Sequence, residues 1–150
     1  MKKKEKIKIL WCCFLFFKIT YTDEKNLENF IFKDYQYVVL YEEIIIKKIH
    51  LLTENEKEKL GLYYSQFLQS EIKSQQLNAI FLLGCFRKNG KNYIPILIPF
   101  LQNEDLLIQY ESAISLNYIN PSPDPLLIPI LIKGLQSSIF FPDYRVSNAW

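Results

Sequence analysis

The sequence predicts an all-α protein, in the form of a short α-solenoid built from antiparallel helix pairs. Two observations support this prediction. Similar segments recur about every 34 residues, and prolines stand inside apolar runs that could otherwise be taken for β-strands. Tandem units of this length are typical of repeat proteins, in which each unit buries its apolar face against the next one.

The repeat is visible as matched segments at a constant offset. Three segment pairs lie 34 residues apart: 93–98 with 127–132, Ala79-Ile80 with Ala113-Ile114, and Leu101-Gln102 with Leu135-Gln136. A further copy, the segment 67–71, lies 33 residues before the similar segment 100–104. Several copies at one spacing indicate internal repetition.

Turn signals divide this part of the chain into units and each unit into two helical halves. Asn89-Gly90 and the proline-containing segment 120–124 break the chain within units, whereas 103–105 and Ser137-Ser138 break it between them. We therefore expect about three units and a truncated fourth. The predicted order is a linker at 23–34, units at 35–70, 71–103 and 104–137, and a partial unit at 143–150.

The start and the helical nature of these units follow from local signals. Thr53 and Glu56 form a capping box, which predicts a helix directly after Thr53. The run around Ile96 is rich in β-branched residues, but Pro95 and Pro99 would each remove a hydrogen bond from a sheet ladder. A helix is therefore favoured there, with a bend expected at Pro99.

Composition and charge exclude two broad classes of protein. The chain is 49% hydrophobic and 15% aromatic, which is enough for a packed core and argues against intrinsic disorder. Residues 23–150 hold 12 of the 18 basic and 15 of the 16 acidic side chains, so the formal charge of +2 arises at the amino terminus. Such an acidic body lacks the clustered cations that phosphates require, and no nucleic-acid partner is expected.

The first 22 residues have the layout of a secretory signal. Lysines precede an apolar run at 9–17, and a polar stretch with Thr20 and Thr22 follows it. Nine apolar residues are fewer than the roughly 20 that span a bilayer, so no integral membrane span is expected. Cleavage would make the protein exported or periplasmic. An uncleaved amino-terminal helix packed on the first unit, or a start codon assigned too early, are the alternatives, and the protein would then be cytoplasmic.

Several segments of this chain resemble HEAT-like repeats of the phycobilisome-lyase type. The resemblance rests on the segments 94–97 and 101–105, on Leu83-Gly84 and on the closing segment 143–150. It covers 71–150 well and 35–70 weakly, since 35–52 fits either a helix or a strand. In the first helix of each unit, Glu111 and Ser147 stand where the family has arginine.

Other repeat types and functions stay open beside this resemblance. Tetratricopeptide repeats share the 34-residue period, and the segment 60–64 matches part of their signature once. The HEAT-like resemblance implies two further functions: a subunit or relative of the phycobilin lyases or pigment-complex remodelling proteins, and a DNA-repair glycosylase. The glycosylase would need a basic concave face, which the acidic body contradicts.

No catalytic or metal-binding constellation accompanies the repeat, so we expect a protein that is not an enzyme and holds no cofactor or metal. His50 is the only histidine, and we interpret it as a structural residue of an apolar segment. Cys12, Cys13 and Cys85 lack the spacing of a disulfide framework or a zinc site. Cys85 is expected to be a buried and inert thiol.

A stripe of less apolar side chains recurs in register along the second helices of the units. It consists of Gln66, Gln69, Pro99, Gln102, Lys133 and Gln136. Because second helices line the concave side of HEAT-like arrays, the resemblance makes this stripe the candidate protein-binding surface. An ordinary solvated surface is the alternative interpretation.

The expected function is therefore a non-catalytic scaffold for protein–protein interaction, with an unidentified protein as its partner. The partial unit at 143–150 is too short to cover the apolar flank of the third unit. We expect this open end to be hidden by self-association, unless the chain is part of a longer repeat array.

Overall fold

All regular structure in the described part of the chain is helical. The computed structural model describes residues 26–121 and 125–136, and no strand occurs among them. Their α-helices are α1 (Tyr35–Leu40), α2 (Glu42–Leu51), α3 (Glu54–Ser65), α4 (Lys73–Gly84), α5 (Ile94–Leu97), α6 (Leu106–Ile119) and α7 (Leu127–Gln136). Their 3₁₀ helices are η1 (Leu27–Phe32), η2 (Arg87–Tyr93) and η3 (Ile98–Gln102). The predicted all-α class is confirmed, whereas the predicted signal at 1–22 and the partial unit at 143–150 lie outside the described residues.

The segment before α1, which we predicted to be a linker at 23–34, contributes to the core. Leu27, Phe30 and Ile31 of η1 are buried, and η1 packs against α3 and α4. Apolar residues at i, i+3 and i+4 share one face of a helical turn, and here that face has a partner surface. The linker prediction is therefore corrected for residues 27–32.

Two buried polar side chains fix η1 to the helices that follow. The Tyr64 hydroxyl of α3 donates to the Leu27 carbonyl oxygen at 2.7 Å, and burial raises the pKa of Tyr64 well above its ordinary value. Asn78 Nδ2 of α4 donates to the carbonyl oxygens of Ile31 and Lys33 at 3.2 and 2.7 Å. These carbonyls lie at the end of η1, where a helix leaves its acceptors without internal partners.

The predicted capping box at the start of α3 is confirmed. Thr53 Oγ1 accepts from the Glu56 N–H at 3.3 Å, and Glu56 Oε2 accepts from the Thr53 N–H at 2.8 Å. Hydrogen bonds from the side chain and backbone of Thr53 lower the pKa of Glu56. Before this cap, the segment 35–52, which fitted a helix or a strand, forms α1 and α2.

The helical segment 94–102 changes from an α-helix to a 3₁₀ helix next to Pro99. The α-helical part, α5, is only four residues long, and η3 begins at Ile98. Pro99 lacks the N–H that would continue an α-helix, and the chain continues as a more tightly wound 3₁₀ helix. Because the winding is tighter, the inward positions shift: Leu97 and Phe100 are buried, whereas Ile98 is 49% exposed.

The most extensive helix contact among the described residues joins α4 to α6. The matched residues Ala79 and Ala113 are both fully buried. At the end of α4, a Cβ added to Gly84 would lie 2.6 Å from Ser115 Oγ and 2.9 Å from Ser115 Cα. The absence of a side chain at Gly84 therefore allows the two helices to approach to backbone contact.

A buried glutamate connects α6 to α1. Glu111 of α6 is fully buried. The Tyr35 hydroxyl of α1 donates to Glu111 Oε2, and the Ser115 hydroxyl donates to Oε1 at 3.4 Å. Hydrogen-bond donors offset the cost of removing a carboxylate from water. Glu111 thus supplies an acceptor that fixes α1 against α6.

The starts of α4 and α6 are joined by an ion pair. Asp105 Oδ1 caps α6 by accepting from the Leu107 N–H at 2.9 Å, and Lys73 of α4 pairs with Asp105 Oδ2. Partial burial acts to raise the pKa of Asp105, but the hydrogen bonds from Lys73 and from the backbone of α6 outweigh it. The pKa of Asp105 is therefore lowered.

Gly84→Ala is expected to reduce the free energy of unfolding by about 1 to 3 kcal/mol, the usual cost of over-packing. The added methyl group would meet the backbone of Ser115. Urea unfolding followed by circular dichroism measures the change. Gly90→Ala is the matched control, because its methyl group would come no nearer than 3.1 Å to a neighbouring atom. An equal or larger loss for Gly90→Ala would contradict the close approach of α4 and α6.

Asp105→Ala is expected to cost about 1 kcal/mol at neutral pH, the usual value of a helix cap. Because the pKa of Asp105 is lowered, the contribution of its charge to the free energy of unfolding depends on pH. The contribution of the charge is complete above the unfolded-state pKa, about 3.9, and is lost as the pH falls through the lower folded-state pKa. Asp105→Asn is the control that keeps a cap oxygen without the charge. The difference in unfolding free energy between the wild type and this variant should therefore be larger at pH 7 than at pH 2.5. A difference that does not change with pH would refute this assignment.

Candidate functional site

The side chains of the predicted contact stripe are all exposed. They occupy three helical segments: Gln66 and Gln69 follow α3, Pro99 and Gln102 lie in η3, and Lys133 and Gln136 lie in α7. In the described residues, their polar groups form no side-chain hydrogen bond or ion pair. The stripe is therefore accessible to a partner over its whole length.

Beside this stripe, α7 carries an exposed apolar face. Ile128, Ile132 and Leu135 are 48, 49 and 51% exposed, and their spacing puts them on one side of the helix. The other side of α7, which includes the buried Leu127 and Gly134, packs on α6. Adjacent exposed apolar side chains of this kind mark interaction surfaces in folded proteins.

A cleft of about 340 Å³ lies between α2 and residues 85–89, which follow α4 and include the first turn of η2. Its lining consists of Ile46, Ile49 and His50 from α2, and of Cys85, Phe86, Arg87, Lys88 and Asn89 from the facing segment. Apolar and basic side chains are thus combined, and the lining includes no carboxylate. The volume falls at the lower end of the range for small-molecule sites, about 300 to 1,000 Å³.

Arg87 forms one wall of this cleft in an unusual backbone conformation. Its φ is 53°, in the left-handed region that costs a residue other than glycine about 1 to 3 kcal/mol. The side chain is held on two sides: Nη2 donates to Glu42 Oε1 at 3.0 Å, and Cζ lies 3.7 Å from the ring centroid of Tyr118. The ion pair with α2 and the stacking on α6 fix this wall in position.

Lys88 and His50 give the cleft a basic rim. Both are exposed, and in residues 26–121 and 125–136 neither side chain forms a hydrogen bond or an ion pair. His50, which we interpreted as a structural residue, faces solvent because Ile45 and Ile49 occupy the inner side of α2. Cys85 is 1% exposed, which confirms the predicted buried thiol.

The surface of the cleft is mainly polar: His50, Lys88 and Asn89 are exposed, whereas Ile49, Cys85 and Phe86 are at most 2% exposed. Among the described residues, no group of three or more His, Cys, Asp or Glu side chains is placed to hold a metal ion. In the same part of the chain, no helix is both long and apolar enough to cross a membrane.

No sequence motif predicts this cleft, because its two walls come from residues 46–50 and 85–89, which are at least 35 positions apart. The turn signal at Asn89-Gly90 lies close to the strained position, but the left-handed residue is Arg87, where the sequence carries neither Gly nor Asn. The sequence feature nearest to the cleft is His50, a polar residue in the apolar segment 44–52.

Comparison with known proteins found no match for this chain. This holds for protein-family models, curated proteins and solved structures. The HEAT-like resemblance therefore remains an interpretation of the repeat pattern.

Proposed function

We propose that this chain is a non-catalytic helical-repeat scaffold that binds another protein along the stripe from Gln66 to Gln136. The observation that carries the proposal is that several residues 34 positions apart share the same degree of burial. Ala79 and Ala113 are both fully buried. The pairs Pro95 and Pro129, and Gln102 and Gln136, are exposed in both members.

The packing order of the helices supports the same proposal. The first helices of two successive units, α4 and α6, pack on each other, and the second-helix elements η3 and α7 both pack on α6. Contacts of this kind between successive units are expected in a solenoid of antiparallel helix pairs, and the Tyr35–Glu111 hydrogen bond between α1 and α6 is additional to them. In that arrangement the second helices share one face, so the three stripe segments would form one continuous surface.

The chemistry of the stripe favours a protein partner. Glutamine side chains supply both donors and acceptors, which suits hydrogen bonding to a peptide backbone or to polar side chains. The apolar face at Ile128, Ile132 and Leu135 adjoins the stripe on α7. An apolar patch bordered by polar side chains is the usual composition of a specific protein interface.

Photo-crosslinking tests this function. A benzophenone amino acid placed at Gln102 or at Gln136, 34 residues further on, should give the same covalent adduct in a lysate of the source cells. The matched control is Asn55, which is exposed on α3 outside the stripe, and it should give none.

Three results would count against the proposal. Equal labelling from Asn55, or unrelated adducts from the two stripe positions, would show that the stripe is an ordinary solvated surface. An adduct of twice the chain mass of 17.9 kDa would show that the stripe contacts a second copy of this chain instead of a different protein.

A further inference from the structure

Three aromatic side chains, here called the aromatic patch, lie on the surface where η1 packs against α3. The side chain of Phe32 is 60% exposed, and its ring centroid lies 5.5 Å from that of Phe67 in an edge-to-face arrangement. Tyr63, one turn earlier on α3, has its ring centroid 5.3 Å from that of Phe67. Tyr63 and Phe67 are partly exposed. Contiguous exposed rings, in contrast to single exposed apolar residues, indicate an interaction surface.

A carboxylate borders the Tyr63 end of the patch. The Tyr64 hydroxyl donates to the Leu27 carbonyl oxygen at 2.7 Å, and this carbonyl carbon is bonded to the backbone nitrogen of Glu28. Glu28 is therefore held beside the rings of Tyr63 and Tyr64, and burial together with the nearby Glu28 charge raises the pKa of Tyr63. In residues 26–121 and 125–136, the exposed side chain of Glu28 forms no hydrogen bond or ion pair. Its negative charge is thus available to a ligand.

The carboxylate and the rings form a row. Glu28 and Phe32 are four positions apart in η1, and Tyr63 and Phe67 are four positions apart in α3. Because Glu28 lies beside Tyr63 and Phe32 contacts Phe67, the two segments run side by side in the same direction. Four residues of an α-helix span about 6 Å. An extended side chain with a cation at its tip is long enough to cover this row.

The contact between the rings determines which kind of cation fits. Centroid distances of 5.3 and 5.5 Å are typical of aromatic pairs in direct contact. The three rings of the patch therefore offer a continuous surface and not a cage that could enclose a methylated ammonium group. The planar guanidinium group of arginine stacks on ring surfaces and pairs with carboxylates through its N–H donors. The ammonium group of lysine is compact and strongly hydrated, and it suits this surface less well.

From these features we infer that the aromatic patch and Glu28 bind an arginine side chain of a protein partner. The methylene groups of the arginine lie against Phe32 and Phe67. Its guanidinium group stacks on Tyr63 and donates to Glu28. None of these four residues belongs to the stripe described above, so the inference does not depend on the scaffold function.

NMR titration of the full chain with N-acetyl-arginine amide, whose capped ends imitate a residue within a peptide, tests the inference. The probe should shift the ring resonances of Phe32, Tyr63 and Phe67 saturably, with a dissociation constant of about 1 to 10 mM for a single exposed side chain. N-acetyl-citrulline amide has a similar length but no charge, and it should bind about fivefold more weakly. N-acetyl-trimethyllysine amide should also bind more weakly than the arginine probe, since it cannot donate to the carboxylate.

Two variants locate the binding site. Glu28→Gln should weaken binding of the arginine probe about three- to fivefold through loss of the ion pair, and Phe32→Leu about two- to fivefold through loss of ring surface. Both side chains are exposed, so the fold should be retained, and circular dichroism checks this. Glu58→Gln is the matched control, because Glu58 is an exposed carboxylate of α3 whose charge acts on Tyr93. It should leave binding unchanged.

The inference fails if the arginine probe causes no saturable shift up to about 50 mM, or if the citrulline or trimethyllysine probe binds as tightly. It also fails if Glu58→Gln weakens binding as much as Glu28→Gln does. Tighter binding of free arginine than of the capped probe would show that the ligand is the amino acid and not a protein. Light scattering at several concentrations tests the remaining occupant: a dimer that dissociates in Glu28→Gln would show that the patch binds a second copy of this chain.

Discussion

Helices α4 and α6 touch at Gly84 with no space for a side chain between them, and the rest of the fold is arranged around this contact. Every residue of α4 from Leu77 to Gly84 is buried. The helix is enclosed by η1, α1, α3, η2 and α6. A helix that is buried on all sides sets the positions of its neighbours, so a change in the α4–α6 distance would alter most of the described core.

The sequence predicted the helical class because its strongest signals are local. Prolines excluded strands, and the Thr53–Glu56 capping box marked a helix start that the structure confirms. The burial of η1 was missed because it depends on Tyr64 and Asn78, which lie far along the chain. A short apolar cluster has no visible partner in a sequence until its tertiary neighbours are known.

The stripe and the cleft also differ in whether the sequence could predict them. The stripe was predictable because its members recur with the repeat, and exposure of a polar residue follows from its place on an amphipathic helix. The cleft depends on the left-handed conformation of Arg87, which no local preference indicates. Tertiary contacts with Glu42 and Tyr118 impose that conformation, and such contacts are invisible to propensity and periodicity.

The hydrogen bond between Tyr35 and Glu111 joins residues 76 positions apart, and it affects how the molecule comes apart. In an ideal repeat array each unit contacts only its neighbours, so the ends open independently and partly unfolded states are populated. Here, displacement of α1 would withdraw a donor from the fully buried side chain of Glu111 in α6. Helices α1 and α6 are thereby coupled energetically, which favours cooperative melting over separate opening of α1.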